Sequence, residues 1–415
     1  MEKSISILVV GGGSAGMVAA ITAARQGCTV TVLERMQRVG KKLLATGNGR
    51  CNLTNLHCTP ENYHGGYPGF VESVFAQFDV PATLEFFRKL GVEPRAEDDG
   101  KVYPRSGQAA SVLDVLRDEM DRLGVQVIAE ARAQSLIRRG SGFECHCTNE
   151  TAWSAQHVIL AAGGQSTPNL GSNGTGYKLA QQIGHTIIEP TPALVQICLA
   201  APFLKHLAGQ KLQGTASLSA DGDPCGSASG ELLFADYGIS GLPILHLSRH
   251  VSRPPRDGAA MVLQLDLFPE WSVEDLEMKI QERIAAAPEK TAEFCFVGLL
   301  PKRTIAVLLR EAGIEDIQRP CGALEAAAVQ ALAKLLKGWR IPCSGTKSWM
   351  DAQVTSGGVH VREINPETLE SKCTPGVFLC GELLDIDGDC GGYNLQWAWS
   401  SGHVAAIHAA KMTQL

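Results

Sequence analysis

The residues of this chain best suited to chemistry stand near its start: Gly11-Gly12-Gly13-Ser14-Ala15-Gly16, followed by Glu34. In a turn of this spacing Gly11 makes the tight turn, Gly13 lets the backbone approach a pyrophosphate, and Gly16 packs the next helix against its strand. The helix N-terminus then faces the phosphates with its unpaired N–H groups, and Glu34 would accept from ribose hydroxyls. The elements that must position these groups lie on either side. The apolar residues 5–10 read as a strand, the Ala-rich residues 17–26 as a helix, and residues 29–33 as a second strand ending at the acid. A ligand-free glycine turn would carry the same glycines. The complete strand–helix–strand unit and the acid favour a dinucleotide.

Residues 40–55, rich in Gly, Asn, Thr and cations, look too polar for core and read as a loop around something polar. A nicotinamide dehydrogenase has no use for such a loop. FAD does, because its diphosphate and ribityl chain run far along the protein, and Lys41, Lys42 and Arg50 suit the diphosphate. A strand at 157–160 runs into Ala161-Ala162-Gly163-Gly164, with small residues where backbone would lie against a cofactor. Residues 171–180, Gly-Ser-Asn-Gly-Thr-Gly-Tyr-Lys-Leu-Ala, follow. Residues 376–398 combine a strand, an acidic loop and a helix opening on Gly391-Gly392.

In these segments the chain resembles a bacterial family of FAD-dependent oxidoreductases named after aminoacetone oxidase and the BaiN-like bile-acid reductases, two-dinucleotide-binding-domain flavoproteins. The resemblance spans nearly the whole chain, and residues 171–180 are similar to a helix of fumarate reductase-like flavoproteins. It implies non-covalent FAD. In the first part of the chain the contacts would come from Gly11, Gly13, Ser14, Ala15, Gly16, Glu34, Arg35, Lys42, Thr46, Gly47, Arg50, Asn52 and Val127. Ala162, Gly163, Gly381, Asp387, Gly392, Tyr393, Asn394 and Leu395 would complete the set. The acidic loop would meet the ribityl hydroxyls, and the last helix would aim its N-terminus at flavin N1 and O2, where charge gathers on reduction.

The implied fold is α/β, a Rossmann-like FAD-binding domain interrupted by a β-barrel-like and a helical subdomain. Residues 1–187 and 350–415 would bind FAD, 188–267 would be a β-rich lid, and 268–349 would hold the helices and a return strand. Helical spacing occurs near 81–90 and 111–116, and strand character near 125–128, 143–147 and 348–354. Residues 355–359, Thr-Ser-Gly-Gly-Val, match a family motif at re-entry to the FAD domain.

Within the insert, residues 230–241 resemble a family segment facing the flavin. Relatives carry Thr-His where this chain has Ala235-Asp236, so that His role does not transfer. Tyr237 could protonate or polarise a carbonyl with Asp236 orienting it, and a packed Tyr beside a solvated Asp is the equal alternative. Arg105 could hold an anionic group, or make a surface pair. The family offers two directions. In one, NAD(P)H loads the flavin, which reduces an activated C=C bond such as a steroid or bile-acid enone; in the other, a small amine is oxidised and dioxygen yields peroxide. Similarity to fumarate reductase-like enzymes favours reduction. A more distant alternative is an RNA-associated flavin-binding protein.

Composition fits a globular intracellular enzyme, 45% of the 415 residues being hydrophobic and 19% charged, and the family resemblance implies a small-molecule substrate. No apolar run is long enough for a membrane span, and the N-terminal run enters a glycine turn rather than a cleavage site, so a cytoplasmic location is expected. The net charge of −6 and the lack of a basic block point away from nucleic acid. Thirteen cysteines without a C-x-x-C pair read as free thiols, and Cys145 and Cys147 alternate on a strand, sharing a buried face. The histidines show no paired ligand spacing, so no metal is expected.

Overall fold

The computed structural model describes residues 5–67, 69–254 and 258–414. They fall into two compact units, one built from residues up to Pro192 together with those from Ala352 onward, the other from Ala193–Asp351.

The first unit is organised by a seven-stranded sheet in the order Gln126–Ile128, Val30–Leu33, Ile5–Val10, Ala152–Leu160, Gly142–Cys147, Ala133–Arg139, with Val377–Leu379 also pairing with Ala152–Leu160. The strands around Ile5–Val10 run parallel to it, and covered on both faces they need the continuous apolar sequences observed. The antiparallel edge behaves differently. In Gly142–Cys147 burial alternates, and Phe143, Cys145 and Cys147 share the inward face.

Register decides what this sheet can do. Val10 pairs with both Leu33 and Leu160, and Leu160 pairs with Leu379. Four strands thus end on one line, and the segments after them leave the sheet together at its carboxyl edge: Gly11, Glu34, Ala161 and Cys380. Open α/β sheets take ligands at this edge. Two helices fix it from behind. Ser14–Arg25 and the C-terminal Tyr393–Thr413 approach backbone to backbone, and a Cβ on Gly402 would stand 2.4 Å from the Ala15 carbonyl oxygen.

Two expectations need correction. The segment 40–55 is not a loop throughout: after a 3-10 turn at Leu43–Gly49 the side chains of residues 51–55 are buried, Cys51 and Leu53 completely. Its polar residues enter the core because they find partners there. Thr54 Oγ1 donates to Gln396 Oε1 at 2.6 Å, and Asn55 Nδ2 donates to the Gly391 carbonyl at 3.1 Å. The strand expected near 348–354 falls instead at Trp339–Thr346, and a turn separates it from Val354–Val359.

The second unit is a closed antiparallel barrel in the order Ile197–Leu199, Gly238–Ser240, Asp223–Ala235, Lys211–Ala220, Met261–Asp266, Trp339–Thr346. Helices Val273–Ala286, Lys302–Glu311 and Ala326–Lys337 lie in sequence between its last two strands. The barrel therefore closes only after the helices, and barrel and helices share one apolar core. Trp339 anchors it, fully buried against Phe203 and Phe234 at 4.9 and 5.7 Å between ring centres.

Candidate functional site

At the carboxyl edge the glycines divide by what surrounds them. Gly11 has φ +106, and a Cβ there would lie 2.5 Å from the Ala161 carbonyl oxygen; at Gly16 it would lie 1.9 Å from that of Gly11. A Cβ on Gly12 would strike Val39 at 2.4 Å. Gly13 is the exception, with nothing among the described residues within 4 Å of an added Cβ. Packing therefore requires its neighbours, whereas Gly13 borders open space at the start of Ser14–Arg25. That helix has no side-chain cap and no acid in its first turn, so its first N–H groups are available to an anion.

Glu34 does more than the sequence suggested. Its Oε2 accepts from the Gly12 N–H at 2.9 Å and its Oε1 from the Met36 N–H at 2.7 Å. The carboxylate holds the glycine turn in shape, and each oxygen keeps a lone pair for a hydroxyl. Burial raises its pKa, only partly opposed by the N–H groups of Met36 and Gly12. Val127, 36% exposed, lies on the strand beside it, and Arg35 donates to the Pro168 carbonyl at 3.3 Å.

The cations expected at a diphosphate have protein partners. Lys42 Nζ donates to Ser166 Oγ at 2.6 Å and pairs with Glu382 Oε2 at 2.8 Å. Arg50 pairs with Glu97 at 2.9 Å and stacks on Tyr103, and Lys41 donates to the Asn169 carbonyl. Glu382 is a hub that sequence reading missed. Its Oε1 accepts from Ser166 Oγ at 2.7 Å and from the Thr355 N–H at 2.9 Å, while Thr355 Oγ1 accepts from the N–H groups of Gln165 and Ser166. One network ties residue 42, the segment after Gly163 and the re-entry motif together. A Cβ on Gly164 would lie 2.4 Å from Thr355 Oγ1 and 2.8 Å from Glu382 Oε1, a collision that only the structure reveals.

The opening of the C-terminal helix completes this edge. Gly392, at φ +104, sits against Thr54, where a Cβ would approach the carbonyl group within 2.5 Å. The helix lacks a side-chain cap and an acidic first turn. Asn394 clamps the preceding acidic loop: its Oδ1 accepts from the Gly388 N–H and its Nδ2 donates to the Gly388 carbonyl, both at 2.8 Å. Its side chain thus orders the loop. Asp387 in that loop is fully buried, and the Tyr393 carbonyl accepts from Tyr63 at 2.8 Å. Gly381 is held by Ser401 Oγ and Trp397 Nε1, and a Cβ there would touch that of Ala15 at 2.9 Å. Thr46 and Gly47 lie in the 3-10 turn, with Thr46 Oγ1 donating to the Leu43 carbonyl. Ala162 and Gly163 follow Ala161 out of the sheet, and partly exposed Leu395 lies in the first turn of the last helix.

These residues fit FAD by three observations. Gly13 borders a space that the turn's other glycines do not have, two helix N-termini remain uncapped, and the buried Asn52 Oδ1 has no hydrogen-bond partner. A cradle of N–H groups and an unsatisfied acceptor suit a ligand with anionic phosphates and a hydroxylated chain.

In the second unit, Asp236 and Tyr237 form the turn between Asp223–Ala235 and Gly238–Ser240, with Asp236 exposed and Tyr237 partly buried. Lys347 Nζ lies 4.8 Å from the centre of the Tyr237 ring, a neighbour that sequence did not suggest. Burial first, then Asp351, Cys198 and Asp236, raise the Tyr237 pKa, so its hydroxyl stays protonated and can donate. Arg105 is exposed in the loop after Lys101–Pro104. Cys380 is fully buried with its thiol pushed up to about 12, which suits packing rather than redox chemistry. No helix among the described residues is long and apolar enough to cross a membrane.

A family model described as HI0933-like protein Rossmann domain matches residues 5–408. The 3-dehydro-bile acid delta(4,6)-reductase of Clostridium scindens is 38% identical over 406 residues, 97% of this chain and 98% of that protein. The ribosomal RNA dihydrouridine synthase of Haemophilus influenzae is 30% identical over 417 residues, 99% and 100% respectively. Among solved structures, the 3-ketosteroid delta1-dehydrogenase of Sterolibacterium denitrificans shares the fold with a TM-score of 0.51 at 13% identity, covering 99% of this chain and 100% of that one. The second relative removes the ground for excluding nucleic acid on net charge alone.

Proposed function

Since the chain belongs to the HI0933-like family of FAD-dependent Rossmann proteins, we propose that it reduces an activated C=C bond of a small hydrophobic ketone, with a steroid or bile-acid enone as substrate type and NADH or NADPH as electron donor. The observation that carries this reading is the 38% identity, sustained over nearly both full lengths, to a protein named for that reduction. Bound FAD, once reduced, would supply the hydride. The chain's own residues do the rest. The N–H groups opening Ser14–Arg25 would hold the diphosphate, Glu34 keeps that turn shaped and would accept from ribose, and the uncapped start of Tyr393–Thr413 would offer partial positive charge to the cofactor. Tyr237, protonated at neutral pH, would donate a hydrogen bond to the substrate carbonyl and so draw charge from the β-carbon.

A second reading, reduction of a uracil ring in ribosomal RNA, is favoured by the 30% identity to the dihydrouridine synthase. Both readings share the reduction of a C=C bond conjugated to a carbonyl and differ in what carries it. The test is to supply the FAD-loaded protein anaerobically with NADPH or NADH and, separately, a 3-oxo-4,6-diene bile acid and unmodified ribosomal RNA. Saturable reduction of the dienone with RNA untouched supports the proposal. Dihydrouridine formation with an inert dienone transfers it to the second reading, and peroxide from an amine in air would replace both.

A further inference from the structure

Away from the glycine turn, three residues distant in sequence meet on the first unit. His185 lies just beyond helix Thr175–Gln182, Glu363 ends the short turn Val361–Glu363, and Cys373 lies in the segment leading to Val377–Leu379. The nitrogen, oxygen and sulfur atoms they offer all lie within 4.8 Å of one another. We propose that His185 Nδ1, the Glu363 carboxylate and Cys373 Sγ form a site for one zinc-type divalent cation, which would clip these three segments together.

The geometry suits such an ion. His185 Nδ1 and Glu363 Oε2 are 3.2 Å apart, close to the edge of about 3.3 Å expected of a tetrahedron with bonds of about 2.0 Å. An imidazole, a thiolate and a carboxylate make a mixed donor set that favours zinc over calcium or magnesium, which take oxygen alone. Three protein ligands leave a fourth position for water. The outer partners are in place as well. His185 Nε2 is 2.8 Å from Ser371 Oγ, which is fixed by accepting from the Thr374 N–H at 2.8 Å. With Nε2–H donating to that hydroxyl, the Nδ1 lone pair points toward Glu363 and the ion, the arrangement that orients metal-bound histidines. Glu363 Oε2 also accepts from the Thr186 N–H at 2.8 Å, which steadies the carboxylate.

His185 is buried but Cys373 is exposed, so the cluster is reached from solvent on the cysteine side. The ligands come from places so separated in the chain that no spacing motif could announce them, so the sequence reading expected no metal.

The test uses the full FAD-loaded chain, stripped by a chelator and dialysed. Titration with Zn²⁺ should show one equivalent bound and a rise in the melting midpoint, and Co²⁺ should give thiolate charge-transfer and tetrahedral ligand-field bands. Cys373→Ser should abolish the thiolate band, weaken Zn²⁺ binding at least tenfold and remove the thermal shift. Glu363→Gln and His185→Gln should weaken binding likewise. Cys373 is exposed, so its Ser variant keeps the fold and decides the matter even where His185→Gln does not fold. Absence of a stoichiometric ion in the wild-type chain, or Zn²⁺ affinity unchanged in Cys373→Ser, would overturn the proposal.

Discussion

Glu34 shows how one side chain can serve a ligand and the turn that receives it. Its oxygens already accept from the N–H groups of Gly12 and Met36, so Glu34→Ala removes a ribose acceptor and also loosens the glycine turn. FAD binding should weaken by roughly 1–3 kcal/mol, the usual loss for a charged hydrogen bond, read by flavin fluorescence during titration. Gly13→Val should act differently. Nothing among the described residues stands within 4 Å of the added Cβ, so the chain should fold with the urea midpoint of the flavin-free wild type yet purify colourless, because the side chain fills the space by the diphosphate cradle. A yellow Gly13→Val protein would remove the assignment. For the substrate, Tyr237→Phe deletes one hydroxyl, and enone reduction should slow by about 10²-fold while flavin loading by NAD(P)H stays unchanged. An unaltered enone step would return Tyr237 to packing. At this scale the glycines and the acid were legible because their chemistry is local in sequence. The Glu382 hub was not, because its partners Lys42, Ser166 and Thr355 come from three remote segments.

The C-terminal helix carries a pH dependence through His403. Its ring stacks on Phe78 at 4.1 Å between centres, and its Nδ1 is 3.1 Å from Thr22 Oγ1 on the glycine-turn helix. Burial, then Arg25, hold this imidazole down at about 4, from an ordinary value of 6.5. The unfolded chain therefore takes up a proton that the folded chain refuses. The contribution of this group to stability should be fully present above pH 6.5 and be lost as pH falls toward 4, by about 3 kcal/mol for a shift of this size. Urea unfolding of wild type and His403→Gln at several pH values should show a shallower acid loss in the variant over that window. Parallel profiles would contradict it. Helices such as Val80–Lys89 and Ala109–Arg122 were legible from apolar spacing. The buried polar segment 51–55 was not, since polarity reads as exposure until Thr54 meets Gln396, more than three hundred residues away in sequence.

For the whole molecule, the α/β class, the interrupted FAD-binding unit and the barrel-like insert could be read from the order of motifs. What could not was closure: Trp339–Thr346 completes the barrel from beyond the helices, and long-range strand pairing leaves no local trace in sequence. The parallel strands bring the segments after Val10, Leu33, Leu160 and Leu379 to one sheet edge, and C=C reduction is the proposal to be tested. The most direct measurement is anaerobic stopped-flow mixing of the protein, its flavin first reduced by light, with a 3-oxo-4,6-diene bile acid, following flavin absorbance. The account predicts saturable reoxidation with one product molecule, reduced at C=C, per flavin. A flavin that stays reduced with the dienone, but is reoxidised by ribosomal RNA or only by dioxygen, would contradict it.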